Sequence, residues 1–280
     1  VAQAAPREST LKKRQRPVLL IDADVLRYYM AFKNTKSIDW DGDGETMEVY
    51  QPEKAKVEVA EYIAELVEKF DAADFVLPLS CPEHNFRKDV EPTYKQARHE
   101  KPKPALWYAL DEFIHAEYAD KIIKRHSLEG DDILGTLATH PEPRRCPGPR
   151  IVVSIDKDLQ TIPCRLYNPN KPDLGVRTID RYDADLFWMK QALMGDTTDN
   201  YTGCPGIGAK RADEALMPVH EAYRDGSPEE HLDALWKAVV AVYEKKGLTA
   251  DDALIQARLA RILRHGDLNY KTNKVNLWEP

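Results

Sequence analysis

Nine carboxylates stand in short clusters along this chain, at Asp22/Asp24, Glu129/Asp131/Asp132, Asp156/Asp158 and Asp196/Asp199. Acids gathered at such density repel one another unless cations lie between them, so the pattern reads as a metal site. The donors are all oxygen, with no His or Cys at zinc spacing, which favours the hard ions Mg²⁺ or Mn²⁺ over Zn²⁺. Each cluster has a plainer reading on its own. EGDDILG (Glu129 to Gly135) is also an acidic helix start, SIDKDLQ (Ser154 to Gln160) a surface turn, and GDTTDN (Gly195 to Asn200) a helix cap. Three such coincidences, each after a buried element, favour the shared site.

The elements that must position these acids follow from hydrophobic patterning. VLLI (Val18 to Ile21) and IVVSI (Ile151 to Ile155) read as buried strands that deliver Asp22 and Asp156 at their carboxyl ends. Open α/β sheets bind their ligands at that edge. Further strands are expected over Ala73 to Leu79 and near Lys121 to Ile123, with helices over Val25 to Phe32, Glu53 to Phe70, Ala105 to Ala116 and from Glu129 onward. Strands alternating with helices predict a mostly parallel central sheet flanked by helices. Pro141 to Arg150 reads as a connecting loop. Beyond Tyr182 helical patterns take over at Leu186 to Met194, Glu229 to Tyr243 and Asp251 to Leu263, so a helical subdomain is expected over 183–280 and an α/β core over 17–182.

Composition sets the setting. The formal net charge of −7 is weak evidence against a polyanionic ligand, because the clustered acids outweigh it and bound cations would offset them. Local charge says more: Arg87, Lys88, Lys95, Arg98, Lys101 and Lys103 face only three acids between Arg87 and Lys103. With Phe86 and Tyr94 interleaved, this basic segment suits a phosphate backbone and an unstacked base, although a solvated amphipathic helix would read the same way. Cys81, Cys146, Cys164 and Cys204 form no CxxC pair, which suggests reduced thiols and a cytoplasmic setting. No apolar run approaches membrane-spanning length. Residues 1–16, ending in LKKRQR, read as a mobile basic arm. Asp39, Asp41, Asp43 and Gly44 begin like an EF-hand loop, but Tyr50 stands where its bidentate Glu belongs, so a solvated turn is expected.

In GCPGIGAKRA (Gly203 to Ala212), Gly206, Ile207 and Gly208 suggest a tight turn between helices near 198–218, with Lys210 in the first turn of the second helix. Glycines let backbone N–H groups approach a phosphate, and a helix N-terminus favours the anion.

Taken in order, IDAD, NFRK with the following YK and R, EGDD, SIDKDLQTIP and GDTTDNYTGCPGIG resemble the 5′ nuclease (flap endonuclease) superfamily, and within it the 5′→3′ exonucleases of T-odd bacteriophages. The resemblance runs from about Pro17 to the ARILR and NLWEP segments. It implies a PIN-like nuclease core with a basic arch over 86–118 and a helix-hairpin-helix beyond it. It implies a two-metal phosphodiester hydrolase acting at 5′ ends, flaps or nicks of DNA, and on RNA in RNA/DNA hybrids, during phage replication or recombination. Asp22, Glu129, Asp131, Asp132, Asp156, Asp158, Asp196 and Asp199 then become direct or water-mediated ligands of Mg²⁺, with Asp24 an addition. Arg87 and Lys88 take the part of gateway cations that clamp the scissile phosphate, and Tyr94, Lys95 and Arg98 guide the 5′ strand. Gly206, Gly208 and Lys210 contact duplex DNA, with K⁺ at the hairpin. A monomer is expected.

The chain departs from the family pattern after Leu79, where relatives carry an Asp and this sequence has Ser80, Cys81 and Pro82, with Glu83 the nearest acid. Two rivals therefore stand. IDADV and GDTTD also resemble haloacid-dehalogenase-type phosphatases, in which Asp22 would attack phosphate, and the absent Asp leaves room for a non-catalytic DNA-junction binder.

Overall fold

A computed structural model describes residues 15–39, 41, 47–96 and 103–280. Its centre is a six-stranded sheet built from β1 (Val18–Ile21), β4 (Asp74–Leu79), β5 (Ile122–Lys124), β6 (Arg150–Val153), β7 (Cys164–Tyr167) and β8 (Val176–Ile179), in the order β5-β4-β1-β6-β7-β8. All neighbours are parallel except β7 and β8, which run antiparallel. The apolar run of β1 is buried at every position, as a central parallel strand covered on both faces must be.

Strand periodicity divides the core in two. Leu19, Ile21, Leu77, Leu79, Ile151 and Val153 face a cluster with α1 (Ala23–Lys33), α2 (Pro52–Lys69) and α4 (Ala105–Glu117). Val18, Leu20, Val76 and Val152 face the opposite cluster with α5 (Gly130–Thr139). A third cluster unites α6 (Arg181–Met194), α7 (Ala209–Tyr223), α8 (Pro228–Glu244) and α9 (Ala250–Ala260) around Trp188 and Tyr243. The Tyr243 hydroxyl donates to the Ala192 carbonyl at 2.7 Å and the Trp188 indole to the Ala257 carbonyl at 2.8 Å, so these large side chains are satisfied as well as buried.

The sequence expectations meet four corrections. The acidic stretch after α1, read as a solvated turn, connects an antiparallel pair that the sequence reading did not mark, β2 (Thr35–Ile38) and β3 (Met47–Tyr50); Asp43 and Gly44 lie outside the described residues. β7 and β8 arise from CRLY and VRTI, too short and too polar on one face to stand out. The division near Tyr182 is incomplete, because Ile262, Leu263 and Leu268 return to the sheet's core. Of the basic arm, residues 1–14 lie outside the described set, while Arg16 is anchored to Asp71 at 2.9 Å and to the Ala72 carbonyl.

Candidate metal centre

β1 lies between β4 and β6, so the chain leaving it turns one way and later returns on the other side, opening a crevice at the strands' carboxyl ends. Asp22 caps α1 there: its carboxylate accepts from the Val25 N–H at 3.0 Å and from the Ser154 hydroxyl at 2.6 Å. Ser154 ends the β6 side and accepts from the Asp156 N–H at 3.0 Å, while Asp156 accepts from the Asp158 N–H at 2.8 Å. One serine therefore ties two acid clusters together. Sequence reasoning did not single it out, although a strand followed by Ser-x-Asp would have been the signal.

The third cluster arrives on α5. Glu129 and Asp132 form a capping box, and the acids of the first turn face the positive end of the helix. Gly130 lets that turn approach α1, since a Cβ there would stand 2.6 Å from Asp24 Oδ2. The same Asp24 oxygen accepts from the Ser80 hydroxyl at 2.6 Å and the Ser80 N–H at 2.9 Å. The Asp24 carboxylate thus sits beside the position where the family's Asp is absent. Glu83 does not: it is exposed, bonded to the Cys81 thiol at 2.9 Å, with Lys124 and His126 as its charged surroundings. The far side of Asp24 is paired with Arg27, which also binds Asp111 of α4 and lies 4.5 Å over the Trp107 ring.

Asp158 and the last cluster form a neighbouring group. Gln191 of α6 donates to Asp158 at 2.5 Å, and Lys157 lies 3.8 Å from Asp158 and 3.6 Å from Asp196. Asp199 accepts from the Tyr94 hydroxyl at 3.1 Å and lies 3.5 Å from the Lys95 ammonium, which is also paired with Glu129. Lys95 holds its place with φ 56°, a left-handed conformation uncommon for a side-chain-bearing residue and often kept at functional sites.

Electrostatics separates the acids. Burial pushes Asp22 up to about 7, against its hydrogen bonds and with repulsion from Asp24 and Asp156. Burial, then Asp22 and Asp156, raises Asp131 well above the carboxylate range. Asp158 is pushed up to about 6 by burial and Asp156. Burial would raise Glu129 too, but Lys95 and Arg87 outweigh it and hold it at about 2.

Three expected roles are corrected by geometry. Asp132 is fully buried, and its oxygens accept two bonds from Arg87 at 2.8 Å, one from the Glu129 N–H at 3.1 Å and one from the Leu263 N–H at 3.1 Å. No lone pair is left for a metal ion. Arg87, only 2% exposed, further donates to the Leu259 and Arg261 carbonyls at 3.0 and 2.6 Å, so it is an internal strut rather than a gateway. Tyr94 is buried beneath Glu129 and Asp199, where no base could stack on it. Lys88 is half-buried on α3 (Arg87–Val90), and Arg98 lies outside the described residues.

At the hairpin, Gly208 caps α7 and Lys210, 91% exposed, stands in its first turn. Gly206 takes φ 74°, a turn that favours glycine. The turn is less tight than expected, since α6 ends at Met194 and α7 begins at Ala209.

The donor set suits a hard cation. Among the described residues no three of these side chains converge on a single ready-made cage. Mg²⁺ needs none, because it retains waters and takes one or two carboxylates together with substrate phosphates.

Residues 17–183 match the family model of the 5′-3′ exonuclease N-terminal, resolvase-like domain. The chain belongs to the 5′-3′ exonuclease family. It is a nuclease of that class, which displaces the phosphatase reading of IDADV. It is 29% identical over 222 residues to the exodeoxyribonuclease of Enterobacteria phage T3, covering 70% of each chain. It is 31% identical over 147 residues to the flap endonuclease Xni of Shewanella oneidensis, covering 48% of this chain and 53% of that protein. In fold it is similar to the bacteriophage T5 D15 flap endonuclease, solved as a pseudo-enzyme-product complex with DNA and metal ions. The TM-score is 0.52 at 16% identity, covering 87% of this chain and 92% of the other. Among the described residues, no helix is long and apolar enough to cross a membrane.

Proposed function

We propose that this exonuclease uses Mg²⁺ to hydrolyse phosphodiesters near the 5′ ends of DNA, with flaps and the RNA of RNA/DNA hybrids as further substrates. The observation that carries the reading is the meeting of acids from separate chain segments at the carboxyl ends of β1 and β6. Burial and mutual repulsion there leave Asp22, Asp131 and Asp158 short of positive charge. Asp22, Asp131 and Asp156 would hold one hydrated cation, in part through its waters, and Asp158, Asp196 and Asp199 a second in the same way, with Glu129 and Asp24 at the border. When bound, the ions supply Lewis acidity to the scissile phosphate and acidify an attacking water.

The chain's own groups do the rest. Ser154 fixes the rotamer of Asp22 while orienting the loop that carries Asp156. Arg87 and Asp132 brace Glu129 from below. Lys95 stands between the two acid groups, where its ammonium can turn from Glu129 to a phosphate oxygen and stabilise the charge that grows on it. This gives Lys95 the gateway part. Gly206, Gly208 and Lys210 suit duplex backbone away from the reaction, with K⁺ a candidate ion at that turn.

Duplex and flapped DNA, labelled separately at each end, should shorten from the 5′ end with Mg²⁺ or Mn²⁺, and EDTA should stop the reaction. Shortening from the 3′ end, or cleavage that survives EDTA, would overturn the assignment.

A further inference from the structure

Beside the acid crevice one guanidinium is shared between carboxylates of two helices. Arg27, only 6% exposed, gives one terminal nitrogen to Asp24 of its own helix α1 and the other to Asp111 of α4. Its Nε is buried and has no hydrogen-bond partner among the described residues, so the two acids and the Trp107 ring, 4.5 Å away, hold the group in place. Asp111 has a further basic neighbour in the His115 ring at 3.5 Å, and the Lys103 ammonium lies 3.5 Å from the centre of the Trp107 ring, in the field of Arg27, Asp111 and Asp24.

Asp24 is the end of this system that reaches the candidate metal centre. Its Oδ2 accepts from the Ser80 hydroxyl at 2.6 Å and the Ser80 N–H at 2.9 Å, and the same hydroxyl accepts from the Gly130 N–H at 2.9 Å, next to Asp131. With Arg27 on Oδ1, little acceptor capacity is left on Asp24 for direct ligation. Its charge still acts through space, and it is one of those that repel the Asp22 carboxylate. How strongly that charge is felt depends on how much of Arg27 Asp24 commands.

We propose that Arg27 is a positioning residue that sets, through Asp24, the affinity for the cation assigned to Asp22, Asp131 and Asp156, with Asp111 as the competitor that draws its charge away. The inference rests on the metal-dependent nuclease reading of those acids. Shared with Asp111, the guanidinium neutralises Asp24 only in part, and the residual negative charge favours a nearby cation. Given wholly to Asp24, it cancels that charge and weakens the ion's hold. Removed, it leaves Asp24 at full strength and tightens it. The two ends of one ion-pair system therefore act in opposite senses. A purely stabilising triad would behave otherwise, since loss of either end would loosen the same packing.

The test measures Mn²⁺ binding to the full chain without DNA, by electron paramagnetic resonance of the free ion. Asp24 and Asp111 both reach solvent, with side chains 26% and 29% exposed, so the acids left unpaired in the variants stay hydrated and the chain folds. Arg27→Met keeps an apolar stem against Trp107 and should lower the Mn²⁺ concentration for half-occupancy of the affected site roughly tenfold, whereas Asp111→Asn should raise it about threefold. Arg27→Lys keeps the charge and should stay within about twofold of wild type. The double variant should follow Arg27→Met, because Asp111 acts by competing for a group that is no longer there. The Mg²⁺ concentration for half-maximal single-turnover cleavage should move in the same two directions. Shifts of one sign in both single variants, no shift in either, or a double variant that behaves as Asp111→Asn would overturn the proposal while leaving the metal reading intact. Wild-type protein that binds no Mn²⁺ would overturn the metal reading itself and this proposal with it.

Discussion

Two acid-rich regions lie side by side in this molecule and meet opposite fates. Around Asp132 and Glu129 the negative charge is answered from within by Arg87 and Lys95, and Glu129 is held at about 2. Around Asp22, Asp131 and Asp158 the same residue type is left short of cations and is pushed upward by burial and by its neighbours. Asp131 and Asp132 are adjacent in sequence, yet one faces the crevice and the other the interior. The lesson is that an acid's role here is decided by whether the protein supplies its counter-charge or leaves that to a ligand.

The widest separation between the two regions should appear on replacing those neighbours. Asp131→Asn should lower single-turnover cleavage by roughly a thousandfold or more while leaving the metal-free melting temperature unchanged or higher, because it removes a repelled charge. Unimpaired cleavage would take Asp131 out of the site. Arg87→Ala, in contrast, strands Asp132 as an unpaired buried charge and should cost about 3 to 5 kcal/mol of stability in urea titration. A fully stable Arg87→Ala protein would restore the gateway view of that residue.

Lys95→Ala separates the cation at the border from the cation beneath it. Single-turnover cleavage should fall on the order of a hundredfold at saturating DNA, with a melting temperature close to wild type. A rise in the dissociation constant alone would reduce Lys95 to a docking contact.

A smaller effect follows from the raised groups. Carboxyls whose folded pKa lies above the unfolded one contribute stability at low pH and lose it as pH rises through the folded value, here about 6 to 7. Metal-free protein should therefore lose about 1 to 3 kcal/mol relative to Mg²⁺-saturated protein between pH 5.5 and pH 8. Taking the difference between the two forms removes the buried pair His220 and His231, whose lowered pKa values act in the opposite direction. A constant difference across that range would mean the acids are not short of charge. Smallest of all, Lys210→Ala should flatten the salt dependence of duplex binding by at most about one unit of log–log slope. An unchanged slope would remove α7 from the DNA interface.

The open region was far more legible in the sequence than the closed one. Asp22 and Asp156 are announced by apolar runs that can only be buried strands, and the direction of a parallel sheet places their ends together. Asp132 could not be told from its neighbours, because i, i+3 spacing puts it beside Glu129 whether it faces solvent or the core. What decides its fate is contact with Arg87 and with Leu263, 45 and 131 residues away in sequence. The arch residues show the same limit: FRK and TYK are both aromatic-cation pairs, and only the fold buries Arg87 while lifting Lys95 to the crevice. β7 and β8 escaped notice because strands of four residues with polar positions among the apolar ones carry little signal, and β8 lies at the sheet's edge.

The grip of Leu259, Arg261 and Leu263 on Arg87 and Asp132 also sets an order of events during synthesis. The nascent chain exposes its α/β core long before those residues leave the ribosome. Until they do, the brace under Glu129 lacks its outer half. Completion of the brace beneath the acid crevice therefore waits on a late-made stretch of chain.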